Sequence, residues 1–550
     1  MNLLDAVLFI PLAGFFLILF VPREREEAIR RTALMVALVA FIASLALLAG
    51  FNRTEAGFQF VASLPWIGQP AIRFHTGIDG VSLWLVLLTT LLTPIGVLIS
   101  WRSIDRRVKE FFALFLLMEF GLVGVFVSLD LFLFYVFWEV SLVPMYFLIG
   151  VWGHDRRIYA AVKFFLYTMA GSVLMLAALI YLYNRAGTLD YSALLQMLAS
   201  GRLVFNRVEE LVLFLGFFIA FAIKVPLFPF HTWLPDAHVE APTAGSVMLA
   251  SVMLKMGCYG LVRFCLPLFP AASRDLAPSI AILAIIGILY GAAVAMVQPN
   301  MKKLVAYTSV SHLGFVVLGI FTFTELGMNG AVYQMLNHGV STGALFVLVG
   351  YLYERRHSLE ISDYGGVATP APNLSGVFLI TALASMGLPL LNNFVGEYLV
   401  LQGVAQASFR WAVFAAIGVI LAACYMLWLY QRVFFGEARP ELAAHMRDLS
   451  GREWAVALPL VVLMIWMGTA TQSFLPPITK SGAAILESTK IGVSFEVRGR
   501  EPRTSSVAQA LLPAASTLMS RHGLASRRVS TRQAESLRHE PGTEEVARAR

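Results

Sequence analysis

The chain has 550 residues, of which 58% are hydrophobic and only 14% are charged, and its formal net charge is +7. A soluble protein of this length needs more polar surface, so the composition indicates a multi-pass membrane protein and excludes a soluble catalytic domain before about residue 480. Most of the excess positive charge lies in short loops and in the C-terminal tail. It therefore predicts orientation in a membrane, and not nucleic-acid binding.

Fourteen apolar segments follow one another along the chain, each near or above the roughly 20 residues that a tilted membrane helix needs. They cover residues 3–20, 32–50, 81–100, 111–129, 131–151, 162–184, 211–230, 243–266, 277–297, 303–323, 328–353, 374–404, 411–435 and 454–474. The first segment has no basic start and no evident cleavage site, so it predicts a retained helix and not a signal peptide. The expected fold is an all-α integral membrane protein with about 14 transmembrane helices.

Basic residues mark alternate loops of this arrangement, after the first, third, fifth, ninth, eleventh and thirteenth segments. These residues are Arg23, Arg25, Arg30, Arg31, Arg102, Arg106, Arg107, Lys109, Arg156, Arg157, Lys302, Lys303, Arg355, Arg356, Arg432, Arg439 and Arg447. Cytoplasmic loops are enriched in Lys and Arg, so we expect these loops in the cytoplasm and the N-terminus outside. Residues 480–550 are polar and basic and predict a disordered tail. The even number of segments places this tail on the outer side of the membrane, whereas its positive charge favours the cytoplasmic side. The sequence therefore does not decide on which side of the membrane the tail lies.

The most informative segment is 211–230, LVLFLGFFIAFAIKVPLFPF, because it contains a lysine and two prolines. An ammonium group in hydrocarbon costs about 2.5–3.5 kcal/mol, so Lys224 is a functional candidate. Pro226 and Pro229 lack a backbone N–H and therefore deprive the carbonyls of Ala222 and Val225 of their helical partners. Irregular backbone at membrane depth is tolerated where it is buried in protein or lines water. A titratable group beside a broken helix is typical of ion-handling transporters.

Glu139 is the only charged residue of its apolar segment and lies too far from either end to reach water. A carboxyl group at this depth ionises only beside a cation, and Lys224 is the natural partner. Such a pair handles protons if the lysine titrates, and it is a static ion pair if the lysine does not. A neutral Glu139 carboxyl, hydrogen-bonded to a neighbouring helix, is the other alternative.

A repeat relates the buried ionisable residues. Glu139 and His312 are separated by 173 residues, and so are Lys224 and Glu397. The segment of Glu397 is also interrupted, by Gly387, Pro389, Asn392, Asn393 and Gly396. Paired interruptions in two halves of a chain are typical of repeat transporters and point to their binding sites.

The domain organisation follows from this repeat. Residues 1–110 are expected to form helices 1–3, residues 111–266 the first copy (helices 4–8), and residues 277–435 the second copy (helices 9–13). Because five helices are an odd number, the second copy enters the membrane inverted. Residues 454–474 are expected to form helix 14, followed by the tail from residue 480.

Further polar residues lie within the apolar segments. Lys255 lies about fourteen residues into what is expected to be helix 8, and the alternative to a functional role is a lysine that reaches an interface. The histidines are His312 and His338 in apolar segments and the loop pair His231 and His238, and Glu119 contributes a buried carboxyl group. Imidazole both donates and accepts protons, so these groups can form a relay, or they are hydrogen-bonded core residues.

Metal and haem sites are not expected on this chain. Cys258, Cys265 and Cys424 lie in apolar segments and have none of the standard spacings of zinc or iron–sulfur ligands. No two histidines lie about two to four turns apart within one predicted helix, which argues against haem. The cysteines are therefore expected to be small buried hydrophobic residues.

Residues 224–264, KVPLFPFHTWLPDAHVEAPTAGSVMLASVMLKMGCYGLVRF, closely resemble the signature of the antiporter-like subunits of respiratory complex I. Four more runs resemble the same family: FWEVSLVPMYFLIGVWG (137–153), MKKLVAYTSVSHLGF (301–315), QMLNHG (334–339) and NNFVGEYLVL (392–401). These runs are long and distinctive, and the resemblance covers about residues 75–475.

The resemblance implies fourteen helices in a bundle with two inverted five-helix repeats, broken helices 7 and 12, and one proton route along a central row of buried polar groups. At the matching positions, Glu139 resembles the carboxylate of a Glu–Lys pair, Lys224 the switching lysine and Lys255 the connecting lysine. The linking groups of the family are matched by His238, His312 and His338. Most of these subunits carry lysine at the last position, whereas the middle subunit of the arm carries glutamate, as this chain does at Glu397.

The implied function is proton translocation in the membrane arm of a bacterial inner-membrane NADH:quinone oxidoreductase. The implied partners are the other membrane-arm subunits, the lipid bilayer and protons, with no nucleic acid. No cofactor is expected on this chain, and NADH, flavin, iron–sulfur clusters and quinone are expected in partner subunits. A subunit of a multi-subunit cation/proton antiporter shares the signature and is the main alternative, ahead of a hydrogenase membrane arm. A passive scaffold is a further alternative, but packing does not require a row of buried ionisable groups.

Overall fold

The computed structural model describes residues 2–68, 72–437 and 446–490, all within one compact unit, Met1–Val493. Twelve helices of these described residues are long and apolar enough to cross a membrane. Twelve of the fourteen predicted segments overlap these helices, the seventh overlaps the further helix Arg207–Lys224, and the twelfth overlaps a pair of shorter helices. The expected helical membrane fold is confirmed.

The N-terminal part contains three spanning helices and a hairpin. The helices are α1 (Leu3–Phe20), α2 (Glu26–Gly50) and α3 (Ser82–Ser103). Between α2 and α3, strands β1 (Gln59–Ile67) and β2 (Ile72–Ile78) pair antiparallel. The expectation of an all-α chain is wrong at this point. The connection lies outside the helical bundle, and its backbone groups find hydrogen-bond partners in a strand ladder instead.

The middle part runs from α4 to α10. Its helices are α4 (Val108–Val127), α5 (Leu131–Trp152), α6 (Arg157–Ala186), α7 (Tyr191–Ala199), α8 (Arg207–Lys224), α9 (Trp233–Glu240) and α10 (Thr243–Leu268). Helix α8 ends at Lys224 inside the predicted seventh segment, where the helix breaks, and α9 begins after that segment. Helix α10 contains two π-helical stretches, Leu249–Met253 and Leu261–Cys265, and π turns often occur at functional sites.

The C-terminal part runs from α11 to α18. Its helices are α11 (Pro270–Met296), α12 (Met301–Ile320), α13 (Glu325–Arg356), α14 (Pro372–Ser385), α15 (Asn392–Ala407), α16 (Phe409–Phe434), α17 (Gly451–Thr469) and α18 (Leu475–Ser488), with short 3-10 turns at Ile361–Asp363 and Thr471–Ser473. Helices α14 and α15 form the broken twelfth segment. Helices α10 and α13 are completely enclosed by the others and form the centre of the bundle.

Polar side chains begin many of these helices. The residues whose side chains accept a hydrogen bond from the first turn are Asn2, Asp130, Asp190, Asn206, Asn300, Thr324, Ser408 and Ser450. Such caps satisfy backbone N–H groups that have no partner within the helix. They therefore set where the apolar segments begin.

The bundle has two distinct ends. The hairpin end carries β1, β2, α7 and α18, and there the Leu129 N–H donates to the His75 carbonyl (2.8 Å) and the Gly80 N–H to Ser481 Oγ (2.9 Å). The basic end carries the loops 104–107, 153–156, 297–300 and 357–371, where the His154 N–H donates to the Glu240 carbonyl (3.0 Å). The distribution of Lys and Arg predicts that the basic end faces the cytoplasm.

The two halves pack in a similar order. Helix α4 packs on α5 as α11 packs on α12, and α6 packs on α8 as α13 packs on α15. The breaks, however, do not follow the offset of 173 residues, which carries residues 225–232 to 398–405, inside α15, while the second break lies at 386–391. Lys224 therefore precedes its break and Glu397 follows its break. The inverted repeat, and the domain boundaries drawn from it, stay predictions.

The predicted start of the tail at residue 480 is wrong, because α18 extends to Ser488. Ile478, Ser481 and Ile485 are buried on one face of this helix, which packs against α13. Apolar residues seven positions apart share a helix face, so the segment is amphipathic despite its polar composition. Residues 491–550 lie outside the described residues.

Candidate functional site: a buried row of ionisable residues

The seven predicted site residues lie on seven helices around the centre of the bundle. They are Glu139 on α5, Lys224 on α8, His238 on α9, Lys255 on α10, His312 on α12, His338 on α13 and Glu397 on α15. Six of them have no more than 3% of their surface exposed, and Glu139 is partly buried. Ionisable groups at this depth need partners, so their contacts decide what the row can do.

Lys255 and His338 form the best-defined link. Lys255 Nζ lies 2.6 Å from Nδ1 of His338 and donates to the Ala250 carbonyl at 2.5 Å. Ala250 belongs to the first π-helical stretch of α10, where the wider turn disturbs the usual hydrogen-bond ladder. The local backbone thus contributes one acceptor to the lysine, and a second helix contributes the imidazole.

His338 leads on to His312, whose ring centre lies 6.0 Å away in an edge-to-face arrangement. His312 Nδ1 lies 2.8 Å from Glu397 Oε1, and its Nε2 lies 3.3 Å from the Tyr425 hydroxyl. Lys255, His338, His312 and Glu397 therefore follow one another without an intervening apolar side chain. Spacing in the sequence does not show this order, because the four residues lie on four helices.

The Glu397 carboxylate lies in a polar environment made by the second break. Gln334 Nε2 donates to Glu397 Oε1 (3.0 Å), and the Asn337 amide in turn donates to Gln334 Oε1 (3.1 Å). Asn392, at the start of α15, donates to the Asn337 carbonyl (3.0 Å). Helices α13 and α15 are thus held together by a hydrogen-bonded amide network that orients the carboxylate.

Lys224 is surrounded very differently. No described residue hydrogen-bonds to its Nζ, which faces the rings of Trp138 (5.2 Å) and Phe164 (5.5 Å). Glu139 is not in direct contact, and its carboxylate acts on the ammonium group only through space. The predicted Glu139–Lys224 pair is therefore not a direct ion pair in this conformation.

The backbone at the first break is better satisfied than the prolines predict. The Ala222 carbonyl accepts from the Leu227 N–H (2.9 Å), and the Ile223 carbonyl accepts from the Trp233 indole (2.9 Å). The expected loss of a partner for Ala222 is thus wrong, because the chain turns tightly enough for the next N–H to reach that carbonyl. The break positions α9 so that His238 enters the bundle.

His238 is completely buried on α9. Neither ring nitrogen has a partner among the described residues, and the ring stacks on Phe346 with centres 4.4 Å apart. The charges of Lys302 and Lys255 both act on this imidazole. A buried imidazole with two free nitrogens is unusual, since buried polar atoms are nearly always hydrogen-bonded.

Lys302 was assigned to a basic loop from the sequence, but it is 97% buried at the start of α12, with 3% of its surface exposed. Its Nζ donates to the carbonyls of Ala241 (2.5 Å) and Val239 (3.5 Å), at the end of α9. It also lines a cavity of about 410 Å³ at the basic end, together with His154 and Glu354. Hydropathy could not distinguish this buried lysine from its neighbour Lys303, because the two are adjacent at the start of the same apolar segment.

His154 belongs to the loop at the mouth of this cavity. Burial, and then the nearby charge of Lys302, lower the pKa of His154 to about 4. Its Nδ1 lies 3.4 Å from the Tyr353 hydroxyl. The imidazole is therefore neutral at neutral pH and is a weak proton acceptor there.

Other polar residues named from the sequence lie off the row. Both carboxylate oxygens of Glu119 are buried without a partner among the described residues, and His231 packs against Phe228 and Tyr290 at the break. The three cysteines are unpaired; Cys258 and Cys265 are buried as expected, but the expectation is wrong for Cys424, which is exposed. No group of metal-ligating side chains occurs in the part of the chain that the structure describes.

Comparison with known proteins gives the family. Residues 128–422 match the family described as NADH:quinone oxidoreductase/Mrp antiporter, TM. A protein of Rhodobacter capsulatus named NADH-quinone oxidoreductase subunit M is 45% identical over 478 residues, which cover 85% of this chain and 93% of the relative. The chain belongs to the NADH-quinone oxidoreductase subunit M family. The assignment agrees with Glu397, the glutamate that resembles the middle antiporter-like subunit.

Solved structures agree with the subunit M assignment. A chain of respiratory complex I from Thermus thermophilus is 34% identical, with a TM-score of 0.79 and coverage of 88% of this chain and 99% of that chain. A chain of the Mrp complex from Dietzia sp. has a TM-score of 0.78 at 21% identity, covering 89% and 99%, which shows the shared fold alone. This subunit M family member is a multi-pass protein of the bacterial inner membrane.

Proposed function

We propose that this chain translocates protons in the membrane arm of a bacterial NADH:quinone oxidoreductase, along the buried row from Lys224 to Glu397. The observation that carries the proposal is the sequence of contacts Lys255–His338–His312–Glu397, with successive groups 2.6 Å, 6.0 Å (between ring centres) and 2.8 Å apart. Imidazole accepts a proton on one nitrogen and releases one from the other, so two histidines between a lysine and a carboxylate form a relay.

In the second half of this route, each group accepts a proton from the group before it and donates one to the next. Protonated Lys255 donates to His338 Nδ1, and His312 exchanges a proton with Glu397 Oε1. The His338 Nε2 atom has no partner among the described residues, which leaves it able to release a proton. A rotation of either ring, or one bridging water, closes the step between the two imidazoles.

The first half acts as the switch. Lys224 has no hydrogen-bond acceptor, so its charge is favoured by the two aromatic faces and by the distant Glu139 carboxylate. A shift of Glu139 toward Lys224 favours the protonated lysine, and a shift away favours release of its proton. His238, with two free ring nitrogens, is the group that receives this proton and passes it to Lys255.

Protons reach the row from the cavity at the basic end. Lys302 lines the cavity and clamps the end of α9, the helix that carries His238. Because the basic end is predicted to face the cytoplasm, uptake is from the cytoplasm and release is outward.

The driving reaction belongs to other subunits. Relatives of this chain are named as subunits of NADH-quinone oxidoreductase, and we assign NADH, flavin, iron–sulfur clusters and quinone to partner chains of that complex. The neighbouring membrane-arm subunits are the direct partners. A cation/proton antiporter subunit is the second candidate, supported only by the shared fold of the Mrp chain at 21% identity.

The proposal is tested with His338→Gln in the assembled complex, in inverted membrane vesicles. We expect NADH-driven acidification of the vesicles to fall by about tenfold or more, because a positioned proton-transfer group contributes on the order of 10²–10⁴ to such a step. His231→Gln removes an equally buried histidine that lies off the row, and pumping should stay close to that of the wild type. Equal pumping by both variants would exclude the relay.

A further inference from the structure

A second buried charged group lies on α10, beyond Lys255 toward the hairpin end. Arg263 Nη2 forms an ion pair with Asp79 Oδ2 at 2.6 Å, and both side chains are only 3% exposed. Arg263 follows Lys255 by eight residues, which is about 12 Å along a helix. The pair therefore lies between the proposed proton route and the surface at the hairpin end.

Polar groups extend from the level of Lys255 to that surface. The Tyr259 hydroxyl, one turn beyond Lys255, accepts from Arg263 Nε (3.3 Å) and donates to the Phe126 carbonyl (3.2 Å). Asp79 Oδ1 accepts from the N–H groups of Val81 (3.1 Å) and Ser82 (3.0 Å) in the loop before α3. Hydroxyl and carboxylate groups in such a series conduct protons unless one member cannot release its proton.

Arg263 is the member that cannot do so. A guanidinium group stays protonated at all physiological pH values, so it neither accepts a further proton nor releases one. Burial opposes the ionisation of Asp79, but the Arg263 charge and the hydrogen bonds from Ser82 hold the pKa of Asp79 below its usual value. Because the charges of Arg263 and Asp79 compensate each other, electrostatic repulsion contributes little to blocking protons. The block comes from the guanidinium itself, which does not exchange protons.

Aromatic side chains exclude water from this position. The guanidinium carbon lies 4.9 Å from the ring centre of Phe58, 5.3 Å from Tyr259 and 5.9 Å from Tyr191. These rings come from the segment before β1, from α10 and from α7. The elements of the hairpin end thus enclose the guanidinium, and Arg263 is only 2% exposed.

We infer that the Arg263–Asp79 pair is a proton barrier that closes the first half of the chain toward the hairpin end. The inference rests on the proposed function, because it assumes that Lys255 carries protons. It explains a difference between the halves: the position 173 residues after Arg263 is Gly436, so the half that contains Glu397 has no matching arginine. Protons from Lys255 are therefore directed through His338 to Glu397 and not straight along α10.

The experiment measures passive proton leak without NADH, in vesicles that contain the assembled complex, after a potassium diffusion potential is imposed. Arg263→Gln should raise the leak about threefold or more, because the group that interrupts the polar series is removed. In the double variant Arg263→Gln with Lys255→Ala, the leak should return to the wild-type level. A leak that persists without Lys255 would mean a packing defect and would overturn the barrier.

Two further variants separate the barrier from a structural role. Asp79→Asn keeps the guanidinium, so its leak should equal that of the wild type; a leak like that of Arg263→Gln would overturn the inference. Arg263→Lys keeps the ion pair and so favours assembly, but lysine releases its proton more readily when buried, and the leak should rise about twofold. An unchanged leak in an assembled Arg263→Lys complex would also count against the barrier.

A matched control is available at the basic end. Arg355 and Glu453 form a buried ion pair at 2.8 Å, with side chains 10% and 7% exposed, and it lies off the row. Arg355→Gln breaks this pair and should leave the leak unchanged; an equal leak in this variant would refute a specific role of Arg263. The proposed function is tested separately. Normal NADH-driven pumping by the Lys255→Ala variant would contradict it, whatever the leak measurements show.

Discussion

Lys224 and Glu397 both lie beside a broken helix at the centre of the bundle, but their surroundings differ. Glu397 accepts hydrogen bonds from His312 and Gln334, and each charge-assisted bond contributes about 1.5–3 kcal/mol. Lys224 has only two aromatic faces and a remote carboxylate, and a cation–π contact contributes about 0.5–2 kcal/mol. The poorly stabilised Lys224 charge responds to small displacements nearby, whereas the hydrogen-bonded Glu397 carboxylate is held in place. The difference assigns switching to Lys224 and relay to Glu397.

The largest effect is expected from removal of the switch. Lys224→Ala should reduce NADH-driven proton pumping by about tenfold or more while the membrane arm still assembles, since the titrating group itself is lost. Pumping is measured in inverted vesicles, with assembly followed by native gel electrophoresis. Lys163→Ala removes a lysine of the same region that pairs with Asp236 and lies off the row, and it should pump normally. Normal pumping by the assembled Lys224→Ala complex would remove Lys224 from the mechanism.

Glu139 should nearly match this loss, although it does not touch Lys224. Glu139→Gln keeps the shape and removes the charge that acts on the lysine through space. The double variant should be little worse than either single variant, because residues that act as one unit are not additive. Glu139→Asp should be milder, since it retains the charge on a shorter side chain. Fully additive losses of pumping would mean that the two residues do not form one switch.

Replacement of the relay carboxylate should follow a graded order. Glu397→Gln should impair transport strongly, whereas Glu397→Lys, which resembles the sister subunits, should retain partial activity because a titratable group remains. The positive charge loses the His312 contact, so we expect activity below that of the wild type. If Glu397→Gln pumps as well as the wild type, the carboxylate is structural and the proton leaves by another route.

The smallest expected effect concerns stability and pH at the mouth of the cavity. The pKa of His154 is lowered from its usual 6.5 to about 4 by burial and by Lys302. The unfolded chain therefore binds this proton more readily, so His154 destabilises the fold as the pH falls from about 6.5 toward 4. When the pH is lowered from 7 to about 5, the melting temperature of the His154→Gln variant should fall less than that of the wild type. Identical pH dependence of the two melting temperatures would contradict the buried, neutral imidazole.

Local features of the sequence determined the fold class and the candidate residues. Length and hydropathy placed fourteen segments that the helices overlap, and a charge inside an apolar run was sufficient to select Glu139, Lys224, Lys255 and Glu397. Prolines and glycines located both interruptions, since they act on the backbone of their own neighbours. These inferences succeed because each depends on residues a few positions apart.

The tertiary structure alone decided which of these residues meet. Lys255 and His338 are separated by 83 residues, and their 2.6 Å contact depends on how α10 and α13 are rotated toward each other. The orientation of α8 likewise leaves Lys224 facing aromatic rings and not Glu139. The orientation of α12 buries Lys302, while its neighbour Lys303 stays more accessible. Hydropathy reports the depth of a residue in the membrane but not the direction of its side chain around the helix. The partners of each charge, including the Arg263–Asp79 pair, were therefore determined by helix packing.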